Sequence, residues 1–264
     1  DLHLSIRRQR QMCIRDRHWH APLEGFALEE NEIHVWRGIV DIPLADLQVY
    51  WETLWADERE RAERFRFPQH RNRFIAVRGM LRKLLGYYLN LAPQDIELGI
   101  GPQGKPFVQF QGPHQLYFNV SHSQKLVLIA FSTSSEVGID VEGTQSHLNH
   151  QAIAKRIMNE QETSWFHGLP ESKQKSAFFT CWTRKEAFVK AHGKGLTFPL
   201  RDITVSFLPG QPASIVKVEN PELNSLSWSI YSIYARPKYT GALVVADKPQ
   251  SIKYWDYEEW KPRC

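Results

Sequence analysis

The segment EVGIDVE, residues 136–142, constrains the chain more than any other stretch. Strand side chains alternate between faces, so Val137, Ile139 and Val141 fall on one side and Gly138, Asp140 and Glu142 on the other. An apolar, β-branched face belongs to a half-buried strand, and the opposite face sets two carboxylates about 6–7 Å apart along it. That spacing lets both converge on one hard cation such as Mg2+, which takes oxygen ligands and substrate phosphates. Taken alone, the pattern better suits the solvent-facing edge of a half-buried strand.

A second informative stretch is CWTRKEAFVKAHGKG, residues 181–195. At about 100° per residue, Phe178, Trp182 and Val189 line a buried stripe that Cys181 and Phe188 widen. Glu186 and Lys190 lie one turn apart on a flank, a spacing that by itself reads as a surface ion pair. Lys185 projects close to the apolar stripe, so its stem snorkels or its ammonium meets a buried acceptor. Gly193 and Gly195 end the helix as C-cap glycines. Upstream, Asn159 and Glu162 have the spacing of a capping box.

Around these elements the pattern predicts a strand over 33–42, a short charged helix opened by Asp57 and Glu60, and punctuation at Pro68. Phe74, Val77, Leu81, Leu84, Leu85 and Tyr88 then recur at helical spacing, with Arg71, Arg78 and Arg82 on the other face. Turns at 101–106 and 111–113 frame short strands, and further strands are expected over 116–120 and 126–131. Helices follow over roughly 150–166, with a break, and 172–192. Several strands fill 202–245, with turns at Pro209-Gly210, Asn220-Pro221 and Pro237. The class is α+β: two similar halves, 18–133 and 134–264, the second carrying the acidic residues.

Hydrophobic residues make up 42% of the chain and aromatics 12%, enough to fill a core. No uncharged apolar run reaches the roughly 18 residues of a membrane span and no signal-peptide pattern opens the sequence, so no membrane association and a cytoplasmic location are expected. Cys13, Cys181 and Cys264 are odd in number and widely spaced, which favours reduced thiols over a disulfide framework or a zinc site. The net charge is +4, but five arginines against two aspartates give residues 1–17 a local +3 and leave +1 for the remainder. That leader has no sustained period and is expected to be disordered or non-native. Near-neutrality beyond it disfavours a nucleic-acid-binding module built on the arginine-rich helix, the principal non-enzymatic alternative.

Asn119, Ser121 and His122 stand at a strand end, where a hydroxyl and an imidazole leave the sheet together. Adjacent Ser and His rarely have nucleophile-to-base geometry and no G-x-S-x-G elbow occurs, so phosphate or backbone hydrogen bonding is the better reading. The turn at 101–106 offers backbone N–H groups and Lys105 without P-loop spacing.

Taken in order, GKP at 104–106, FNVSHS at 118–123, VGIDVE at 137–142 and WTRKEAFVK at 182–190 resemble the successive motifs of Sfp-type 4′-phosphopantetheinyl transferases. The resemblance spans roughly 33–245, and the KEA form is similar to the subgroup serving fatty-acid, polyketide and cyanobacterial glycolipid carriers. It implies a monomeric pseudo-dimer fold with the site between the halves. The implied reaction is Mg2+-dependent transfer of phosphopantetheine from coenzyme A to a serine of an apo acyl, polyketide or peptidyl carrier protein, releasing 3′,5′-adenosine bisphosphate. On this resemblance Asp140, Glu142 and Glu186 hold the metal, and His122 and Lys190 contact the phosphates. Lys105, Ser121, Arg61 and Arg73 grip the adenine and 3′-phosphate end. Glu186, or Glu162 through water, is the candidate general base, and Lys190 neutralises developing charge. Met158-Asn159 departs from the family's more frequent aromatic followed by Ser or Thr, but keeps the cap. A carrier-binding protein without turnover is the other alternative, disfavoured because all three acidic residues are present.

Overall fold

Alternation on the strands and 3.6-residue periodicity on the helices fold the chain into two antiparallel-rich sheets, each covered outside by one 22-residue helix. The computed structural model describes residues 19–22, 25–110, 112, 115–146, 148–193, 195, 198–219 and 227–260. The leader and the Asn220-Pro221 turn lie outside them. Strands run β1 (Glu32–Ile39), β2 (Leu98–Ile100), β3 (Pro106–Val108), β4 (Tyr117–Ser123), β5 (Leu126–Ser132) and β6 (Val137–Gly143). After them come β7 (Ile203–Val205), β8 (Ile215–Val218), β9 (Trp228–Ile233), β10 (Tyr239–Ala246) and β11 (Ser251–Asp256). The helices are α1 (Leu44–Thr53), α2 (Ala56–Glu63), α3 (Pro68–Leu89), α4 (His150–Ile157), α5 (Glu160–His167) and α6 (Glu171–His192).

One sheet has the order β11-β1-β5-β4 and the other β6-β10-β9, while β2-β3 and β7-β8 are separate hairpin-like pairs. Helix α3 packs on the first sheet through Ile75, Met80, Leu84 and Leu85, facing Trp36, Phe118 and Phe131. Helix α6 packs on the second through Phe178, Phe188 and Val189, facing Ile230 and Val244. Between the sheets lies a third apolar layer, in which Val35, Leu128 and Ala130 meet Val137, Ile139, Val141 and Leu243. The arrangement is α+β as expected, and the alternation in 137–143 points its β-branched face into the layer between the sheets.

Three features differ from the expected organisation. Helix α1 was not foreseen: it buries only Leu47, Tyr50 and Thr53, too few apolar positions to stand out as periodic. Helix α2 starts at Ala56, and the box closes on Trp55, whose N–H donates to Glu58 Oε2 at 2.9 Å, rather than on Asp57 and Glu60. The half expected over 134–264 is also not contiguous. Strand β11 returns to the first sheet and pairs parallel with β1 from Glu32–Ser251 to Arg37–Asp256. Trp255 joins the N-terminal core, and the Arg37 guanidinium donates to Asp256 at 2.6 and 2.8 Å. This return needs a long-range parallel pairing, which no local pattern announces.

Gly138 sets the approach of α6 to β6. A Cβ built there would lie 2.1 Å from the Ala187 carbonyl oxygen and 2.2 Å from the Ala191 nitrogen. Only a missing side chain lets a helix backbone come this close to a strand. Helix α6 ends at Gly193 in the left-handed conformation, φ 77°, as its sequence position predicts. Among the described residues no helix is long and apolar enough to cross a membrane.

Candidate active site

The close packing of α6 on β6 places Glu186 and Lys190 against the Asp140 and Glu142 face, with the end of β4 alongside. Lys190 Nζ donates to Asp140 Oδ1 at 2.6 Å and to Ser121 Oγ at 3.0 Å. Ser121 Oγ donates in turn to Asp140 Oδ1 at 2.9 Å, and Ser123 Oγ donates to Glu142 Oε2 at 2.8 Å. The Trp182 side chain also hydrogen-bonds Glu142. Asp140 is 4% exposed and its Oδ2 is buried with no hydrogen-bond partner. A buried carboxylate oxygen left unmatched is costly unless something fills its place.

The electrostatics give the same sense. Burial raises the Glu142 carboxyl above its ordinary value, and the Asp140 charge adds to that, against Ser123, Lys190 and Trp182. Burial also raises Glu186, with Asp140 and Glu142 contributing and Lys190 opposing. Three carboxylates thus crowd one field with Lys190 as the ammonium acting on them among the described residues, an arrangement that favours a further cation. Among the described residues, no group of three or more carboxylate, imidazole or thiol side chains is drawn together enough to hold an ion as it stands. The donor set is nevertheless all hard oxygen, with one buried oxygen unmatched, and so fits Mg2+ in chemical type.

Next to the acidic cluster lies an electropositive patch. Partial burial lowers the pKa of His122, and the charges of Arg73 and Lys190 lower it further. An imidazole whose protonation two nearby cations disfavour marks a place where an anion would relieve repulsion. Lys190 acts on both sides, pairing with Asp140 at 2.6 Å and lowering the pKa of His122.

Residues 136–245 match the family model described as the 4′-phosphopantetheinyl transferase superfamily, and residues 43–134 match that described as 4′-phosphopantetheinyl transferase, N-terminal. The chain is 34% identical over 240 residues to the 4′-phosphopantetheinyl transferase HetI of Nostoc sp., covering 90% of this chain and 98% of that one. It belongs to the 4′-phosphopantetheinyl transferase superfamily. A second relative is the 4′-phosphopantetheinyl transferase Sfp of Bacillus subtilis, 31% identical over 206 residues, covering 77% and 88% of the two chains. A holo-(acyl-carrier-protein) synthase from Bacillus anthracis, solved in complex with CoA (3′,5′-ADP), is 21% identical with a TM-score of 0.36, covering 42% of this chain and 94% of that one.

Other predicted site residues of the transferase fall in different surroundings. Lys105 Nζ reaches Glu136 Oε2 at 2.5 Å, the Val137 carbonyl at 3.1 Å and the Ala191 carbonyl at 3.3 Å, tying its turn to the start of β6 and the end of α6. Arg61 stacks over the Phe74 ring and lines a cleft with Trp55, Leu98 and Ile100. Glu162 is fully enclosed. Its carboxylate accepts from Lys185 Nζ at 2.5 Å, the Val205 N–H at 3.0 Å and the Asn159 N–H at 3.1 Å. Lys185 therefore meets a buried acceptor rather than snorkelling, and Glu162 presents no free oxygen toward solvent.

The arginine-rich face is likewise used internally. Arg82, expected on the solvated side of its helix, is 1% exposed and donates to Glu58 Oε2 at 2.7 Å and to the Pro93 and Ile96 carbonyls. Arg78 also pairs with Glu58, at 3.2 Å. Sequence reading missed Trp182 as a partner of Glu142, and Asn119 and Ser123 as neighbours of β6. The period-2 spacing of Asn119, Ser121 and Ser123, matching that of Gly138, Asp140 and Glu142, is the signal that could have found the last two.

Proposed function

We propose that this chain transfers the 4′-phosphopantetheine group from coenzyme A to a serine hydroxyl of an apo carrier protein, releasing 3′,5′-adenosine bisphosphate. Asp140, Glu142 and Glu186 are the ligands proposed for Mg2+. The observation that carries the reading is the junction, at the Lys190–Asp140 contact of 2.6 Å, of a crowded carboxylate cluster with Asp140 Oδ2 unmatched and the cations Arg73 and Lys190 that act on His122. When bound, Mg2+ supplies charge neutralisation for the pyrophosphate oxygens.

The protein's own part is positioning and proton handling. Arg73 and His122 offer donors to phosphate oxygens, and Lys190, held 2.6 Å from Asp140, stands between the two halves of the site to neutralise charge on the departing bisphosphate. Glu186 is the proposed acceptor of the carrier serine's proton: burial and two neighbouring carboxylates raise its pKa in the metal-free chain, a gain that Mg2+ bound to the same carboxylate would oppose. Glu162 is not assigned that role, since its carboxylate is committed to Lys185 and two backbone donors. Lys105 must exchange Glu136 for a phosphate to contribute.

The test incubates the full chain with coenzyme A, Mg2+ and a panel of apo acyl, polyketide and peptidyl carriers, followed by intact mass. A carrier gaining one phosphopantetheine supports the reading. A panel that stays unmodified with every carrier, while a known transferase modifies the same carriers, refutes it.

A further inference from the structure

Strand β6 is an edge of its three-stranded sheet and β4 an edge of the four-stranded one. An edge presents backbone N–H groups that need partners. Here the partners are side chains. The N–H of Ile139 donates to Asn119 Oδ1 at 2.9 Å, that of Val141 to Ser121 Oγ at 3.3 Å and that of Gly143 to Ser123 Oγ at 3.2 Å. Each rung joins residues twenty apart, so the two strands run in parallel and step together by two.

On two of these rungs the hydroxyl also donates to the carboxylate one residue earlier, Ser121 to Asp140 Oδ1 and Ser123 to Glu142 Oε2. A serine hydroxyl has one proton and two lone pairs. In Ser121 the proton goes to Asp140, and the lone pairs take the Val141 N–H and Lys190 Nζ. That leaves nothing for a phosphate, the role the sequence suggested. It also ties down Oδ1 of Asp140 while Oδ2 stays unmatched.

We propose that Ser121 and Ser123 are positioning residues: each reads the backbone of β6 with its lone pairs and aims the adjacent carboxylate with its proton, so the seam between the two sheets orients the metal ligands. Asn119 occupies the third rung, where no carboxylate is attached, and serves the seam alone. The inference rests on the Mg2+ reading given above for Asp140 and Glu142. The hydroxyl's two functions are separable by mutation. Ser123→Ala removes acceptor and donor, Ser123→Thr keeps both, and Asn119→Ala removes an acceptor that touches no carboxylate.

The experiment titrates Mn2+ into the full-length wild type and the three variants, following free Mn2+ by electron paramagnetic resonance, with thermal melting in parallel. Ser123→Ala is expected to weaken Mn2+ binding by roughly 10-fold, Ser123→Thr to restore it, and Asn119→Ala to lower the melting midpoint with unchanged Mn2+ affinity. Wild-type affinity in Ser123→Ala, or equal weakening in Asn119→Ala, overturns the proposal. Absence of Mn2+ binding to the wild type overturns the metal reading instead. The positioning claim is then judged on a crystal structure of Ser123→Ala, where a Glu142 carboxylate unmoved from its wild-type rotamer overturns it.

Discussion

Lys185 Nζ lies 2.5 Å from Glu162 Oε2, and neither side chain has any exposed surface. The ammonium spends its other two protons on the Ile157 carbonyl at 2.9 Å and the Leu200 carbonyl at 2.8 Å. The pair therefore pins α6 to α4, α5 and the segment before β7, and fixes the rotation that aims the next residue, Glu186, into the site. Removing one partner of a buried pair leaves a bare buried charge and costs roughly 3–5 kcal/mol. Glu162→Gln and Lys185→Met should each lose about that much in urea unfolding, while Glu162→Leu with Lys185→Met recovers part of it. Because Glu162 is enclosed, the folded fraction of Glu162→Gln should keep transfer within roughly 10-fold, whereas loss of a general base costs about 10²–10⁴. A larger fall in the folded protein would return Glu162 to the chemistry.

Asp140 makes the opposite case. Its Oδ2 has no partner and its charge pushes Glu142 and Glu186 upward, so it is placed against the interest of local stability. Asp140→Ala should abolish detectable transfer in the carrier mass-shift assay while the melting midpoint changes little, since relief of repulsion among three crowded carboxylates offsets loss of the Lys190 pair. Undiminished transfer would sink the metal assignment.

His122 gives a pH signature with a defined sign. Its pKa is lowered from 6.5 in the folded protein by burial and by Arg73 and Lys190. Between the folded value and 6.5 the unfolded chain binds more protons, so stability falls as pH drops through this window. An anion beside the imidazole reverses the penalty by raising the folded pKa. Adding 3′,5′-adenosine bisphosphate should therefore move the His122 titration upward in NMR spectra and bind more tightly as pH falls through the same window. A titration that ignores the bisphosphate places the anion elsewhere.

Much of this site was legible because local rules dictate it. The period of two in 137–143 separated Asp140 and Glu142 from the core face, and the helical period put Glu186 and Lys190 on one flank of α6. The capping spacing found the start of α5. What stayed hidden depends on distant partners. Arg82 reads as a solvated arginine until Glu58 and two carbonyls from the 93–96 segment close over it. Strand β11 cannot be assigned to the first sheet without knowing that β1 lacks a neighbour on that side. The order of the four motifs supplied the family, but periodicity alone did not supply coenzyme A.

Gly138 ties the motif to the fold most directly. Its position in the strand is not explained by a turn, since Gly138 sits inside β6 and pairs with Val244 of β10. The reason is the helix on the far side: an added Cβ would meet the Ala187 carbonyl oxygen at 2.1 Å, the Ala191 nitrogen at 2.2 Å and the Ala191 Cα at 2.8 Å. Backbone atoms of the last two turns of a 22-residue helix cannot turn aside as a side-chain tip does, so the C-terminal end of α6 must move outward. Gly138→Ala should cost about 3 kcal/mol from overpacking. It should also carry Glu186 and Lys190 away from Asp140, and break the 2.6 Å Lys190–Asp140 contact. The expected outcome is a lower unfolding midpoint together with a fall in transfer per folded molecule, read by urea titration and carrier mass shift on the same samples. Loss of stability with full transfer would mean that the helix tolerates displacement and that the spacing of α6 from β6 does not set the geometry of the site.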